Sequence, residues 1–185
     1  ASMDEHEKLQ MAHQLERLGV NVIEAGFPIA SQQAFEGVRR IAGAVKHSRV
    51  AALARAAEGD IRRAAEALET CAHPVLHTFI ATSSIHMEHK LRKQPAEVVE
   101  AAGKAVALAK SLVPRVEFSA EDATRSDWDF LVQVVRAAIE GGADVVEGSS
   151  GDEGLYGGFG SDELFGRGGD DSLRGGTTGD DTLDG

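Results

Sequence analysis

A chain of 185 residues with 42% apolar side chains can bury one core of ordinary size or slightly more. Its net charge of −11 argues against nucleic acid as a partner, and no apolar run reaches the ~18 residues of a membrane span. The charge is uneven: from Gly141 onward there are 11 acidic residues, 2 arginines and 15 of the 21 glycines, whereas the residues before it hold 19 acidic against 17 basic, so two compositional regimes meet near Gly141.

The chain opens on ASMDEHEKLQ, already entering a helix, which reads as a start inside a larger protein with no signal peptide. Asp4 to Leu18 carries Met11, Leu15 and Leu18 as an apolar stripe and stops at Gly19, an amphipathic helix. VNVIEAGFP is a short β-branched run ended by Gly-Phe-Pro and predicts a buried strand. Ala34, Val38, Ile41 and Val45 mark the next helix, Arg49 to Ala54 a second strand, and Ile61, Ala65 and Leu68 a third helix. PVLHTFIATS, from Pro74, predicts a third strand. A helical region follows to Val113, broken before Pro95 because the residue preceding proline avoids helical dihedrals. RVEFSAED is a fourth strand. Ser126 caps a helix whose inner face is Phe130, Val134 and Ala138, and ADVV, from Ala143, starts a fifth strand.

Strands roughly 26–40 residues apart, alternating with helices, specify a parallel α/β architecture. The alternation alone leaves open a closed barrel or an open doubly wound sheet. No GxGxxG follows the first strand, which weakens a dinucleotide-binding reading. A full eight-fold barrel takes roughly 250 residues, and only about five strands fit here.

Either architecture gathers its site at the C-terminal ends of the strands. Those ends carry Glu24, His77 with Thr78, Ser83, and Glu121 with Asp122. A carboxylate and an imidazole converging on one rim can transfer protons or hold a metal-bound substrate; equally, such residues cap the helices that follow. His86 and His89 have a spacing that can bind a metal, but with no third ligand nearby they read as a solvated or loop-anchoring pair. Lys90, Arg92, Lys93 and Lys104 form a modest basic face. The lone Cys71 reads as a small buried residue.

QLERLGVNVIEAGFPIAS, HTFIATSSIHMEHKLRKQPAEVVE and VEFSAEDATRSDWDFL resemble, in order and spacing, successive segments of the 2-isopropylmalate synthases. The resemblance covers residues Met3 to Gly142, taken as one domain, 1–142. The HTFIATS…HMEHKL segment separates this family from the homocitrate synthases and hydroxymethylglutaryl-CoA lyases that share its barrel. It implies a partial (β/α)8 TIM barrel, acetyl-CoA and the 2-oxo acid 2-oxoisovalerate as substrates of a Claisen-type condensation in leucine biosynthesis, a divalent metal (Mg or Mn), and a cytoplasmic location. It also implies Glu121 and His77 as catalytic residues, with Glu24, Thr78 and Ser83 lining the substrate pocket. A different 2-oxo acid is the nearest rival within this chemistry. The family's first strand, with an arginine and a metal-binding aspartate, would precede Ala1, and no His-x-His occurs. The threonine expected on a later strand is replaced by ADVVEGSSG. The metal site is therefore expected to be incomplete and the isolated chain inactive. An interrupted barrel leaves two bare sheet edges, which predicts a homo-oligomer, a missing barrel half as partner, or aggregation.

The remaining segment, 143–185, follows the nine-residue pattern GGxGxDxLx of calcium-binding β-roll repeats. Gly157 to Phe165 fits every fixed position and Gly166 to Arg174 all but one. It resembles the RTX repeats of exported bacterial proteins. That resemblance implies a parallel β-roll-like tail, an extracellular location, and Ca2+ held by Asp144, Asp162, Asp170, Asp171, Asp180 and Asp181, with each repeat leucine pointing inward. AIEGGADVV serves both patterns, so the two families join at Gly141–Asp144. The roll is expected to cap one sheet edge by adding strands. The rival to an enzyme fragment is thus a calcium-binding module carrying a non-catalytic barrel remnant.

Overall fold

The computed structural model describes residues 3–147 and four further strands, 154–156, 163–165, 172–174 and 182–184; beyond residue 146 only the side chains of 182 and 183 are described. Helix α1 (Glu5–Arg17) begins in a reciprocal capping box: the Glu7 N–H donates to Asp4 Oδ1 at 2.9 Å and the Asp4 N–H donates to Glu7 Oε2 at 2.8 Å. Its buried residue is Ala12, flanked by Leu9 and Leu15, while Met11 and Leu18 are exposed. Of the expected Met11, Leu15 and Leu18 stripe only Leu15 packs; the helix rests on α2 and β1 through Leu9, Ala12 and Leu15.

Strands β1 (Val22–Gly26), β2 (Arg49–Arg55), β3 (Pro74–Ala81), β4 (Arg115–Glu121) and β5 (Val145–Glu147) pair in sequence order, all parallel. Between them run α2 (Gln32–Ala44), α3 (Glu58–Ala67), the short α4 (Ser84–His86) with a π-turn at Met87–Leu91, α5 (Pro95–Leu112) and α6 (Trp128–Glu140). Val50, Ala52 and Ala54 on β2, Leu76 and Ile80 on β3, and Val116 and Phe118 on β4 form one core with Val38, Ile61, Val98, Val106 and Val134 of the helices. Alternate strand residues face the other way, because successive side chains leave opposite faces of a strand. Sequential strand order with one shared helix layer is the arrangement of a barrel wall. A doubly wound sheet reverses its order at a switch point. The fold is thus α/β with a five-stranded parallel sheet, consistent with a partial (β/α)8 barrel.

One detail differs from the sequence reading. The cap of α6 is Asp127, whose carboxylate accepts from the Phe130 N–H at 2.9 Å; the Ser126 hydroxyl instead bonds Thr82 Oγ1 at 2.6 Å. The fifth strand expected from Ala143 forms at Val145–Glu147 and pairs with β4. Gly141, at the join, serves the α/β body. A Cβ there would sit 2.7 Å from the Gly103 carbonyl oxygen and 3.2 Å from Val106 Cβ, so α5 and α6 approach only because position 141 has no side chain. Gly141→Ala is expected to lower stability by about 1–2 kcal/mol through overpacking, read as an earlier urea midpoint; an unchanged midpoint would show that the helices can part freely.

The tail strands β6 (Gly154–Tyr156), β7 (Glu163–Phe165), β8 (Ser172–Arg174) and β9 (Thr182–Asp184) are parallel as well. β7 pairs with β5 and β9 with β7, extending the main sheet, while β6 and β8 form a separate two-stranded sheet. The free edge of β5 thus receives a strand from the tail. Leu183 on β9 is half-exposed, contrary to the expected inward leucine, where this strand ends the sheet order.

Candidate active site

The inner face of the sheet carries a chain of polar contacts across four strands. His77, on β3, hydrogen-bonds Glu24 Oε2 of β1 through Nδ1 at 2.5 Å and Ser119 Oγ of β4 through Nε2 at 2.8 Å. On β2, the strand between them, the register partner of Glu24 is Ala51 and that of His77 is Leu53. Glu117 Oε1 lies 3.8 Å from Nδ1, and His77 and Glu117 are register partners. An ionised carboxylate only accepts, so the bond to Glu24 fixes the proton on Nδ1. In the neutral ring Nε2 then accepts from the Ser119 hydroxyl; in the imidazolium it donates to it. The ring can therefore pass a proton between the rim carboxylate and whatever approaches Ser119.

A second cluster closes the rim beyond β3 and β4. The segment after β3 folds over the end of β4 through two contacts. Lys90 Nζ donates to both oxygens of Glu121, at 2.6 and 2.7 Å, and His86 Nδ1 donates to Asp122 Oδ2 at 2.9 Å while lying 2.8 Å from Ser83 Oγ. Asp122 takes a left-handed backbone, φ 65°, uncommon for a residue with a side chain. Its carboxyl is held down at about 2, chiefly by the hydrogen bond from Arg125 and then by those from Ser83 and His86. A depressed carboxyl contributes stability that is complete above the unfolded value near 3.9 and is lost as pH falls toward 2.

The structure brings His77 and Glu24 together, and Glu121 sits on the same sheet two residues beyond Ser119, already neutralised by Lys90. Ser83 is buried and its hydroxyl is engaged with His86 and Asp122. Thr78 is not brought to His77: strand alternation turns it into the helix layer, beside Ala54 and Phe118, where it is fully buried and its hydroxyl meets no hydrogen-bond partner among the described residues. His86 anchors its loop as expected, and His89 is exposed beside Glu88. Asp144 has both carboxylate oxygens engaged within the α/β body, on Lys110 Nζ and the Val116 N–H. Asp162, Asp170, Asp171, Asp180 and Asp181 lie outside the described residues. Cys71 is half-buried, and burial pushes its thiol up. Sequence reading missed Ser119 and Glu117. Period-two alternation in RVEFSAE, which places Glu117, Ser119 and Glu121 on one face, would have found both.

Among the described residues no three His, Cys, Asp or Glu side chains converge as a metal site. Glu121 is taken by Lys90 and His77 Nδ1 by Glu24, so these residues do not fit a divalent cation by themselves, and no step below is routed through one. No helix among the described residues is long and apolar enough to cross a membrane.

The model of the HMGL-like family matches residues 1–151. The chain is 57% identical over 145 residues to the 2-isopropylmalate synthase of Pyrococcus abyssi, covering 78% of this chain and 30% of that protein. It is 57% identical over 145 residues to that of Heliobacterium modesticaldum (78% and 28%) and 56% identical over 146 residues to that of Nitrosospira multiformis (79% and 29%). It spans under a third of the length of these relatives. With the parallel sheet, the inner-face histidine and the family match in agreement, this chain belongs to the HMGL-like family.

Proposed function

We propose that the α/β body is the 2-oxo-acid-binding part of a 2-isopropylmalate synthase, whose reaction joins acetyl-CoA to 2-oxoisovalerate. The supporting observation is the contact of His77 with Glu24 and Ser119 on one sheet face, together with the names of the relatives. In this reading the Ser119 hydroxyl and the His77 ring contact the oxo acid's carbonyl, Glu24 orients the ring, and Glu121 handles the proton at the acetyl methyl once Lys90 yields it. The same Ser–His–Glu geometry invites an acyl-enzyme reading with Ser119 as nucleophile. Ser119 lies mid-strand, paired with Phe79 on one side and Glu147 on the other, so the local backbone N–H groups serve the sheet and leave no oxyanion donors beside it. A polarising role is therefore favoured.

Titration calorimetry tests this. The full chain is expected to bind 2-oxoisovalerate saturably, and His77→Ala to weaken it about tenfold or more, the loss of one charge-assisted contact. No saturable binding to the unaltered chain would overturn the reading. The chain alone is expected to form no condensation product, since neither a His-x-His pair nor a metal cluster among the described residues is present.

A second reading concerns the tail. Its strands begin at residues 145, 154, 163, 172 and 182 and alternate between two sheets, which supports a calcium-binding β-roll of the repeat type. The α/β body on its own would act in the cytoplasm, whereas a working roll would place the chain outside the cell. Millimolar Ca2+ is expected to raise the β signal in circular dichroism, with a chelator reversing it; an unchanged spectrum would count against the roll.

A further inference from the structure

Arg55 ends β2 at the rim, on the strand face shared with Leu53, the register partner of His77. Its guanidinium is fixed from two sides. Nε donates to Asp60 Oδ2 at 2.6 Å and Nη2 to Asp60 Oδ1 at 3.2 Å, and the charge lies over the Phe27 ring, 5.5 Å from its centroid. Phe27 follows the end of β1, so the contact spans the rims of neighbouring strands. The carboxylate that holds Arg55 is itself buried: Asp60 is 7% exposed, against 68% for Glu58 and 56% for Glu66, which pair with Arg62 and Arg63 on the helix surface. A buried aspartate needs a partner, and Arg55 supplies it while its own side chain stays 57% exposed.

A guanidinium has five N–H donors in a rigid fork. Asp60 takes two, and no other acceptor meets Arg55 among the described residues. Three donors on an immobilised cation therefore face open solvent at the mouth of the site. The ordering entropy that weakens most surface arginines as ligand-binding groups is already met by Asp60 and Phe27.

We propose that Arg55 is an oxyanion-binding residue of the rim, taking a carboxylate or phosphate group of a substrate, with Asp60 and Phe27 as its positioning residues. The assignment rests on the reading of the inner face as a substrate site. Both molecules joined in that reaction are anionic: the oxo acid through its carboxylate, acetyl-CoA through its phosphates. The shared chemistry is an oxyanion, and the source is decided by experiment.

The test follows the Arg55 Nε–H resonance in the full chain, assigned by its disappearance in Arg55→Lys, during titration with 2-oxoisovalerate, coenzyme A and inorganic pyrophosphate. At least one probe is expected to shift it saturably: the oxo acid alone indicates a carboxylate, coenzyme A with pyrophosphate indicates phosphate. Calorimetry with that probe is expected to show binding about tenfold weaker in Arg55→Met. A smaller loss is expected in Asp60→Asn, which keeps the cation but frees it, a change that a clamp holding only the β2–α3 turn would not produce. If none of the three probes moves the resonance, or Arg55→Met binds as the unaltered chain does, Arg55 only neutralises Asp60 and the proposal falls. Should Arg55→Met fail to fold, the resonance titration and Arg55→Lys still decide. His77-dependent binding of 2-oxoisovalerate with a silent Arg55 would sink this proposal alone. Pyrophosphate binding at Arg55 without any oxo-acid binding would sink the substrate reading instead.

Discussion

Phe118→Ala is expected to lower the stability of the chain by about 3–5 kcal/mol, the range for deleting a buried aromatic ring. Phe118 heads the largest fully buried side chains and sits in the middle of β4. Its register partners are Thr78 on β3 and Val146 on β5, so the ladder holds its backbone on both sides. The helix layer above it cannot move inward without separating α5 from α6, already in close approach at Gly103 and Gly141. A site that cannot collapse keeps its cavity, and cavity volume sets the upper part of the range. Against a total of roughly 5–15 kcal/mol for an ordinary domain, the loss is a large share. Urea unfolding should show a much earlier midpoint at an unchanged slope. A loss under about 1 kcal/mol would mean that the sheet and its helices are not packed as described.

The sheet was legible because each strand is a short β-branched or apolar run closed by turn residues, and each helix keeps a 3.6-residue apolar spacing. Strand order was not legible: alternation says parallel, and only the sequential pairing of β1 to β5 selects a barrel wall over a doubly wound sheet. Within the site, His77 and Glu24 could be read as polar residues inside apolar strands, although they lie mid-strand and not at the strand ends expected of them. The direction of Thr78 could not be read by treating His77 and Thr78 as one polar pair, since adjacent strand residues leave opposite faces. By sequence Lys90 belongs to a modest basic face, yet it closes on Glu121 from 31 positions away. Contacts of that kind depend on how the loop after β3 folds back, and local pattern carries no trace of it. The Ser126 cap failed for a nearer reason. Asp127 competes for the same helix end, and a buried partner, Thr82, claims the serine.

Asp144→Ala decides between two roles for one carboxylate, and is expected to cost about 2–3 kcal/mol with or without calcium. The repeat pattern makes Asp144 an oxygen ligand of the first tail unit. The geometry gives it other work. Its Oδ2 accepts from the Val116 N–H at 2.7 Å, its Oδ1 from Lys110 Nζ at 2.5 Å, and its own N–H donates to the Val116 carbonyl at 2.8 Å. These bonds fasten the start of β5 to the start of β4. Removing the carboxylate leaves the Val116 N–H without its acceptor, worth about 1–3 kcal/mol. The loss of the partly exposed ion pair adds a smaller amount, because Lys110 keeps the Pro114 carbonyl as a partner at 2.9 Å. Unfolding of the variant and the unaltered chain should be compared in chelator and in millimolar Ca2+. Equal deficits in both solutions identify a clamp of the α/β body, and a deficit seen only with Ca2+ identifies a calcium ligand and overturns this assignment. Because β5 pairs with β4 on one side and with the tail strand β7 on the other, loosening it removes the template on which the tail extends the sheet. The variant should therefore also blunt any calcium-induced rise in β signal.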